Sequence, residues 1–265
     1  MTTNQTIRPT AVAGLFYPGG ASELHTLLQD LLAGSPSTGP APKALIAPHA
    51  GYTYSGPIAA RAYNRLALRA HDIRRVLLLG PAHRVAVRGL ALPTVDAFCT
   101  PLGEVPLDHE ATALIENLPQ VERSDAAHRL EHSLEVHLPF LQTLLDNFML
   151  VPLVVGWAQP QEVAQVLEML WGGSETLVVI SSDLSHYHPY DTARRLDEET
   201  AQHIETRHIP IQDLQACGAY PINGLLTVAQ KHNLAIERLD LRNSGDTAGD
   251  RARVVGYGAW ALYDN

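Results

Sequence analysis

The sequence is poor in cysteine, with only Cys99 and Cys217 among its 265 residues. Two thiols cannot form a disulfide framework, and we interpret both as buried or half-buried thiols in a reducing compartment. No apolar run approaches the roughly 20 residues that span a bilayer. The opening MTTNQTIRPT has neither the basic nor the apolar region of a secretory signal. We therefore expect a cytoplasmic protein without a membrane-spanning segment.

The sequence also lacks an excess of positive charge. It contains 28 acidic and 19 basic residues, for a formal net charge of −9. Nucleic acids and anionic membranes are bound by clustered Lys and Arg, so neither is an expected partner. GLFYPGGAS has glycines but no phosphate-binding Lys-Ser/Thr and no GxGxxG, and there is no Gly-x-Ser-x-Gly elbow. These absences argue against a nucleotide-binding protein and a serine hydrolase.

Strand-like and helix-like segments alternate along most of the chain. Continuous apolar runs predict strands covered on both faces, in KALIAPHAGY, RRVLLLGPAH, MLVPLVVG, TLVVISSDLSHY and RARVVGYGAWALYD. Helical spacing predicts helices over 21–33, 56–70, about 108–117 and four later segments, HSLEVHLPFLQTLLDN, QEVAQVLEMLWG, RRLDEETAQHIET and INGLLTVAQKHN. A hairpin region lies in ALPTVDAFCTPLGEVPLD, and a loop over 34–42. We predict one α/β domain, 1–265, with a largely parallel or mixed sheet between helices.

Histidine is abundant, at 13 residues, about twice ordinary usage. His49 and His83 each follow an apolar strand and a proline, in APHAGYTYSG and GPAHRV. Ligands of α/β proteins bind beyond the carboxyl ends of the strands, and imidazole is the commonest ligand for Fe, Zn and Cu. The two histidines are therefore candidate metal ligands, the alternative being ordinary hydrogen-bonding residues at strand ends.

SSDLSHYH is a second candidate for chemistry. Asp183 could orient an imidazole, and His186 could act as a general acid or base. The same residues could simply cap a helix. His188 is the weaker candidate of the two histidines, because a Tyr-His-Pro turn is common in exposed loops.

EHSLEVHLPF superficially resembles the HExxH motif of metalloproteases, but the match fails. His132 and His137 are five residues apart, so on a regular helix they point about 140° apart, and the order is Glu-His. Glu131 and Glu135 share one helical face. One carboxylate could line the cleft, or this face with His137 could simply be solvated.

The polar loop RNSGDTAGD precedes the last predicted strand. Its Gly-Asp pairs can be ordinary turns. Alternatively, Asp246 could be the carboxylate of a two-histidine, one-carboxylate site, which leaves positions open on Fe(II).

Together the motifs resemble a known family. PTAVAGLFYPGGASEL, APHAGYTYSGPIAARAY, GPAH, EHSLEVHLPFLQ, SSDLSHYH, ACGAYPI, NSGDTAGD and VVGYGAWAL occur in the order found in the Memo family. Its bacterial and archaeal members are called AmmeMemoRadiSam system protein B. The resemblance runs from about Ile7 to Tyr263. It implies an α/β/α sandwich around a mixed sheet, similar to the class III extradiol dioxygenases.

The resemblance also implies a site. His49 and His83 match the family's two metal-ligand histidines, and Asp183 and His186 match its SSDL-x-H pair, where related dioxygenases keep a proton-carrying histidine. Some eukaryotic members have a cysteine as third ligand in the C-terminal loop. Here Asp246 falls nearest that position, which favours iron over a copper–thiolate site. Copper and zinc are the alternatives.

Two hypotheses follow for the function. The first is a metal-binding protein with a cleft like that of non-heme-iron dioxygenases and oxygen-dependent or redox activity on an unknown substrate. The second is a non-catalytic adaptor whose cleft binds a peptide, with a radical-SAM protein and the family's companion protein as expected partners. The resemblance implies the fold and the site more directly than the reaction.

Overall fold

The computed structural model describes residues 5–35 and 39–264. The strands are β1 (Ile7–Arg8), β2 (Ala44–Ala47), β3 (Arg75–Pro81), β4 (Leu90–Leu92), β5 (Ala97–Thr100), β6 (Gly103–Pro106), β7 (Val121–Arg123), β8 (Met149–Val155), β9 (Thr176–Ser181), β10 (His186–His188), β11 (Ala235–Asn243) and β12 (Val254–Tyr263). The α-helices are α1 (Ala21–Ala33), α2 (Tyr52–Tyr63), α3 (His109–Ile115), α4 (Asp125–Arg129), α5 (Leu138–Leu144), α6 (Pro160–Leu170), α7 (Tyr190–Glu205) and α8 (Ala219–Lys231).

Nine strands form one mixed sheet in the order β10-β12-β2-β9-β3-β8-β4-β7, with β11 paired to β12. The four central strands, β2, β9, β3 and β8, are mutually parallel. The outer strand β12 runs antiparallel to β2, and β4 runs antiparallel to β8. The predicted mixed, largely parallel sheet is therefore confirmed at its centre.

Helices cover both faces of this sheet. Successive residues of a strand point to opposite faces, and those of β2 divide accordingly between two apolar cores. Leu45 and Ala47 pack with residues of α1, α2 and α5. Ala44 and Ile46 pack with residues of α3, α6, α7 and α8. This is the expected α/β/α sandwich, and burial on both faces explains why the strands are continuously apolar.

The predicted hairpin region contributes to two sheets. β5 and β6 pair antiparallel, and β1 joins β5 in parallel to give a separate three-stranded sheet. β4, which overlaps the start of this region, joins the main sheet instead, between β8 and β7. The loop predicted over 34–42 includes residues 36–38, which lie outside the described residues.

The helix predicted over 56–70 is shifted in the structure. α2 begins four residues earlier, at Tyr52, and ends at Tyr63, so that Pro57 lies inside it rather than in its first turn. The Tyr52 N–H donates to the carbonyl of Phe16 at 2.7 Å. A helix start capped by a distant segment cannot be identified from local sequence.

The segment predicted as one helix from His132 is irregular at its beginning. A 3₁₀ turn covers Glu135–His137, and α5 starts only at Leu138, with Pro139 in its first turn. His132 therefore precedes the helical part. The helical spacing used to relate His132 to His137 does not apply to it.

β11 was not expected from the sequence. Its exposed and half-buried charged residues do not form an apolar run, yet eight of its positions pair with β12.

Within the described residues, no helix is both long and apolar enough to cross a membrane.

Candidate functional site

The order of the central strands brings the predicted site residues to one end of the sheet. β9 lies between β2 and β3, and all three run in parallel. His49 follows β2, His83 follows β3, and Asp183 follows β9. The sequence prediction that these residues lie beyond the carboxyl ends of neighbouring strands agrees with this arrangement.

Three histidines converge there. The ring nitrogens that His49, His83 and His132 could offer as ligands lie within 4.8 Å of one another. The ring centroids are 5.2 Å apart for His49–His83, 5.5 Å for His49–His132 and 4.7 Å for His83–His132. His49 is buried, whereas His83 opens the cluster to solvent. We call these residues the three-histidine cluster.

The tautomer of His49 follows from its neighbours. Its Nδ1 lies 2.6 Å from the hydroxyl of Ser181, and that hydroxyl donates its single proton to the carbonyl of Ser133 at 2.6 Å. Ser181 can therefore only accept from His49, so that Nδ1 carries the proton. Nε2 is left with its lone pair, which is the form that binds a metal.

A buried carboxylate orients His83 in the same way. Glu131 accepts from the backbone N–H of His83 at 2.6 Å and lies 2.9 Å from its Nδ1. Burial alone would raise the pKa of Glu131, but the hydrogen bonds and charge of His83, with the Ser133 N–H, lower it to about 2. An ionised Glu131 fixes the Nδ1 proton of His83 and again leaves Nε2 free.

His132 is the member that the sequence prediction missed. Its Nδ1 is buried and makes no hydrogen bond among the described residues, and a Glu131 carboxylate oxygen lies 3.4 Å away. Burial lowers the pKa of His132 to about 4, although Glu131 opposes this, and burial together with His83 lowers that of His49 well below its ordinary value. Both imidazoles are therefore neutral near pH 7. An unsatisfied neutral nitrogen beside two oriented imidazoles fits a metal ligand.

Asp183 and His186 lie beside the cluster but do not bond to each other. Asp183 accepts from the backbone N–H of His49 at 2.8 Å, and burial, opposed by this bond, raises its pKa to about 7. No hydrogen bond joins Asp183 to His186 within the described ranges. The predicted role of Asp183 in orienting His186 therefore has no support, and its carboxylate instead holds the His49 loop.

His186 has a half-buried ring near His83. Burial lowers its pKa, opposed by a hydrogen bond to the backbone of Leu184, and the charge of His83 lowers it further. It is outside the three-histidine cluster. Its ring is therefore partly accessible from solvent.

Asp246 is not brought to the two predicted ligand histidines. Its carboxylate accepts hydrogen bonds from the hydroxyl of Tyr190 and, at 3.0 Å, from the backbone N–H of Asn243. It is absent from the group of described residues whose ligand atoms converge. The third residue of that group is His132, whereas the sequence predicted the carboxylate of Asp246.

The sequence left the roles of Glu135 and His137 open, and both side chains are buried in the structure. Glu135 is fully buried and lies 2.7 Å from the guanidinium of Arg8, so it belongs neither to the cleft nor to a solvated face. His137 is buried, with Nδ1 at 2.7 Å from the hydroxyl of Tyr63. Burial lowers its pKa to about 3.

The two cysteines are free and partly buried, as predicted. Cys217 lies near the site, with Sγ 3.4 Å from Nε2 of His49 and 3.3 Å from the N–H of Asp183, which donates to it. Burial, followed by the charge of Asp183, raises the pKa of the Cys217 thiol far above its ordinary value. The thiol is therefore protonated near neutral pH.

A buried carboxylate supports the loop that carries His186. Asp197 accepts from the backbone N–H of Ser185 at 2.9 Å and is 2% exposed. Burial raises its pKa to about 6, against the opposing effects of Ser185 and the charge of His188. The pKa of an aspartate in the unfolded chain is about 3.9, so folding favours the protonated form of Asp197. The raised pKa of Asp197 therefore contributes to the free energy of unfolding. This contribution is fully present below about pH 4 and is lost as the pH rises through about 6.

We therefore expect Asp197→Asn to gain stability relative to the wild type as the pH rises. Between pH 4 and pH 8 the difference in free energy of unfolding should move by about 2 kcal/mol in favour of the variant. Urea unfolding at both pH values measures it. Glu199→Gln, which removes an exposed carboxylate from the same helix, should leave the difference unchanged. A constant difference for Asp197→Asn would show that Asp197 titrates alike in both states.

The fold and the site together define an α/β/α protein with a cluster of three histidines at the carboxyl edge of a mixed sheet. The family model described as Memo-like protein matches residues 8–261. A MEMO1 family protein of Aquifex aeolicus is 37% identical, over 95% of this chain and 97% of its own length. One from Sulfolobus acidocaldarius is 35% identical over the same shares. The chain belongs to the Memo family.

Among solved structures, an uncharacterized protein from Escherichia coli K12 has a similar fold. The TM-score is 0.52 at 13% identity, over 82% of this chain and 98% of that one. At this identity the likeness concerns the fold alone.

Proposed function

We propose that this protein binds a divalent metal through His49, His83 and His132 and uses the centre for oxygen-dependent or redox chemistry. The observation that carries the proposal is the pair of fixed tautomers. Ser181 and Glu131 hold the Nδ1 protons of His49 and His83, which leaves Nε2 of each ring as the atom that could bind a metal together with the His132 imidazole. Outer-shell partners of this kind accompany metal-binding histidines.

The donor set limits the choice of metal. Three imidazole ligands suit Fe, Zn, Cu and Ni, which are borderline ions, rather than Mg or Ca. Iron remains our first candidate from the family's likeness to the class III dioxygenases, although the carboxylate that favoured it is replaced by His132. A bound metal would supply Lewis acidity and, if iron or copper, one-electron redox chemistry.

The other residues have separate roles in this proposal. His186 accepts or donates a proton at its half-buried ring, close to the cluster but outside it. Asp183 holds the backbone of His49 and so fixes the direction of that imidazole. Glu131 does the same for His83 through both its backbone and its ring. The open side at His83 admits the substrate.

Metal analysis tests the proposal directly. We expect the untagged protein, purified without chelator, to contain close to one equivalent of transition metal by mass spectrometry. His49→Ala and His83→Ala should each lose it. His188→Ala is the matched control, because it removes a histidine from the same end of the sheet but outside the cluster. It should retain the metal.

Two results would contradict the proposal. One is a wild-type protein that neither contains metal nor takes it up from added Fe(II), Zn(II) or Cu(II). The other is equal metal loss in the His188 control. A metal-free protein that binds a peptide through the same cleft would instead support the adaptor hypothesis.

The hydrogen bond from His49 to Ser181 gives a second prediction. Ser181→Ala removes the acceptor that fixes the Nδ1 proton, so Nε2 is no longer held in its ligand form. Losing such a partner weakens metal affinity by about 10- to 100-fold. Competition with a chromophoric chelator measures the affinity. Ser181→Thr, which keeps the hydroxyl, should bind metal more tightly than the alanine variant. Equal affinities of the two variants would contradict a role of the hydroxyl in metal binding.

A further inference from the structure

Cys217 contacts the ring nitrogen through which His49 would bind a metal. Its Sγ lies 3.4 Å from Nε2 of His49. Ser181 fixes the Nδ1 proton of the ring, so Nε2 carries a lone pair and can only accept a hydrogen bond. An ordinary cysteine is protonated below about pH 8.5. The thiol is therefore the group that can supply the proton of a hydrogen bond between Sγ and Nε2.

The other acceptor near the Cys217 proton, among the described residues, is already occupied. It is the carbonyl oxygen of Asp183, 3.6 Å from Sγ. This oxygen accepts from the N–H of Cys217 at 3.2 Å and from the hydroxyl of Ser182 at 2.8 Å. A carbonyl oxygen has two lone pairs, and these two donors use both. Nε2 of His49 is closer to Sγ and has its lone pair available, so the S–H donates to Nε2.

The backbone holds the thiol in this position. The N–H of Asp183 donates to Sγ at 3.3 Å, and the N–H of Cys217 donates to the carbonyl of Asp183. Gly218, the next residue, lies so close to β9 that a Cβ there would be 2.5 Å from the carbonyl oxygen of Ser181. Only glycine allows the two backbones to approach so closely. The Cys217 segment is therefore fixed against the end of β9.

The thiol contacts one corner of the three-histidine cluster rather than its centre. The possible ligand atoms of the three histidines lie within 4.8 Å of one another, and Cys217 does not belong to this group of described residues. The Asp183 carboxylate is also outside the group, and its nearer oxygen is 3.9 Å from Nε2 of His49, too far for a hydrogen bond. Nε2 has one lone pair, which can accept the S–H proton or bind a metal but not both.

We infer that Cys217 competes with a metal ion for the Nε2 lone pair of His49 and so lowers the metal affinity of the three-histidine cluster. The inference rests on the proposed function. When a metal binds Nε2, the hydrogen bond from the thiol is lost and the thiol keeps its proton. The carbonyl of Asp183, which already accepts two hydrogen bonds, is a poor replacement. Because a thiol is a weak donor, the effect on affinity is small and has a definite sign.

Binding of Co(II) tests the inference, because the absorption spectrum of cobalt reports which atoms bind it. Competition with a chromophoric chelator measures the Kd. Cys217→Ala removes the donor and should lower the Kd for Co(II) about 2- to 5-fold, the effect of one weak neutral hydrogen bond. Cys217→Val also removes the donor but leaves no cavity, and it should lower the Kd in the same way. The wild type should show no charge-transfer band from a thiolate to cobalt.

Cys99→Ala is the matched control, because Cys99 is a free cysteine on β5, in the separate three-stranded sheet. It should bind Co(II) as the wild type does. If the alanine at position 217 lowers the Tm, the valine variant decides. An unchanged or higher Kd in the deciding variant, or a thiolate band that it loses, would overturn the inference and leave the metal centre in place. A wild type that takes up no Co(II) would overturn the proposed metal centre and the inference with it.

Discussion

Replacing Glu135 by glutamine should lower the free energy of unfolding by about 3–5 kcal/mol, the cost of breaking a buried ion pair by removing one charge. Glu135 is fully buried and accepts from Arg8 at 2.7 Å. It also accepts from the N–H groups of Ala11 and Val12 and from the hydroxyl of Tyr17, at 2.6–3.0 Å. A glutamine amide has one acceptor oxygen and would turn its NH₂ toward donors. It would leave the Arg8 guanidinium buried without a counter-charge.

Thermal and urea unfolding of Glu135→Gln measure this loss, which corresponds to a drop in Tm of about 10 °C for a chain of this size. Glu168→Gln is the matched control. Glu168 pairs with Lys231 and His232 at the surface, where such pairs contribute about 0–1 kcal/mol. Similar losses in the two variants would mean that the buried network adds no more than a surface pair.

Glu135→Gln should also affect the metal site, through the N-terminal segment. Glu135 holds residues 11–17, and Phe16 in that segment packs against His132 with ring centroids 4.8 Å apart. The Phe16 carbonyl also accepts the first N–H of α2. Loosening this segment removes the packing that fixes the third histidine. We therefore expect Glu135→Gln to bind metal more weakly than Glu168→Gln as well as to be less stable.

Much of the fold was predictable because burial on both faces leaves a simple pattern. A strand covered on two sides must be apolar throughout, as in Val76–Leu79 of β3, where every residue is buried. β11 lacked that pattern because it lies outside the central strands and its charged side chains are half-exposed. The start of α2 depended on the Phe16 carbonyl, more than 30 residues away, which no local rule can supply.

The site was predictable where a strand end and a polar residue coincide. His49, His83 and Asp183 each follow a buried strand, and parallel neighbours place their ends together. His132 has no such position. It lies in an irregular stretch before a 3₁₀ turn, so neither helical nor strand periodicity indicates where its ring points. The usable signal was Glu131 beside it, since a carboxylate is a frequent hydrogen-bond partner of metal-binding histidines.

His132→Ala should abolish stoichiometric metal binding, and Asp246→Ala should not. Removing one of three ligands should cost more than the about 10- to 100-fold loss that follows when an outer-shell partner is removed. Asp246 instead accepts from Tyr190 and from the N–H of Asn243. Its loss removes a local cap, which costs about 1 kcal/mol of stability without touching the cluster.

Metal content and affinity of both variants, measured beside the wild type, decide which residue completes the site. Loss in Asp246→Ala with retention in His132→Ala would restore the two-histidine, one-carboxylate site that the sequence suggested. Loss in both would mean that the C-terminal loop moves onto the cluster when metal binds. If Asp246→Ala retains metal and His132→Ala does not, the ligand set consists of three imidazoles. Such a set does not favour iron over zinc or copper by ligand type. The identity of the metal would then be set by what surrounds the three histidines, beginning with Glu131, Ser181 and the opening at His83.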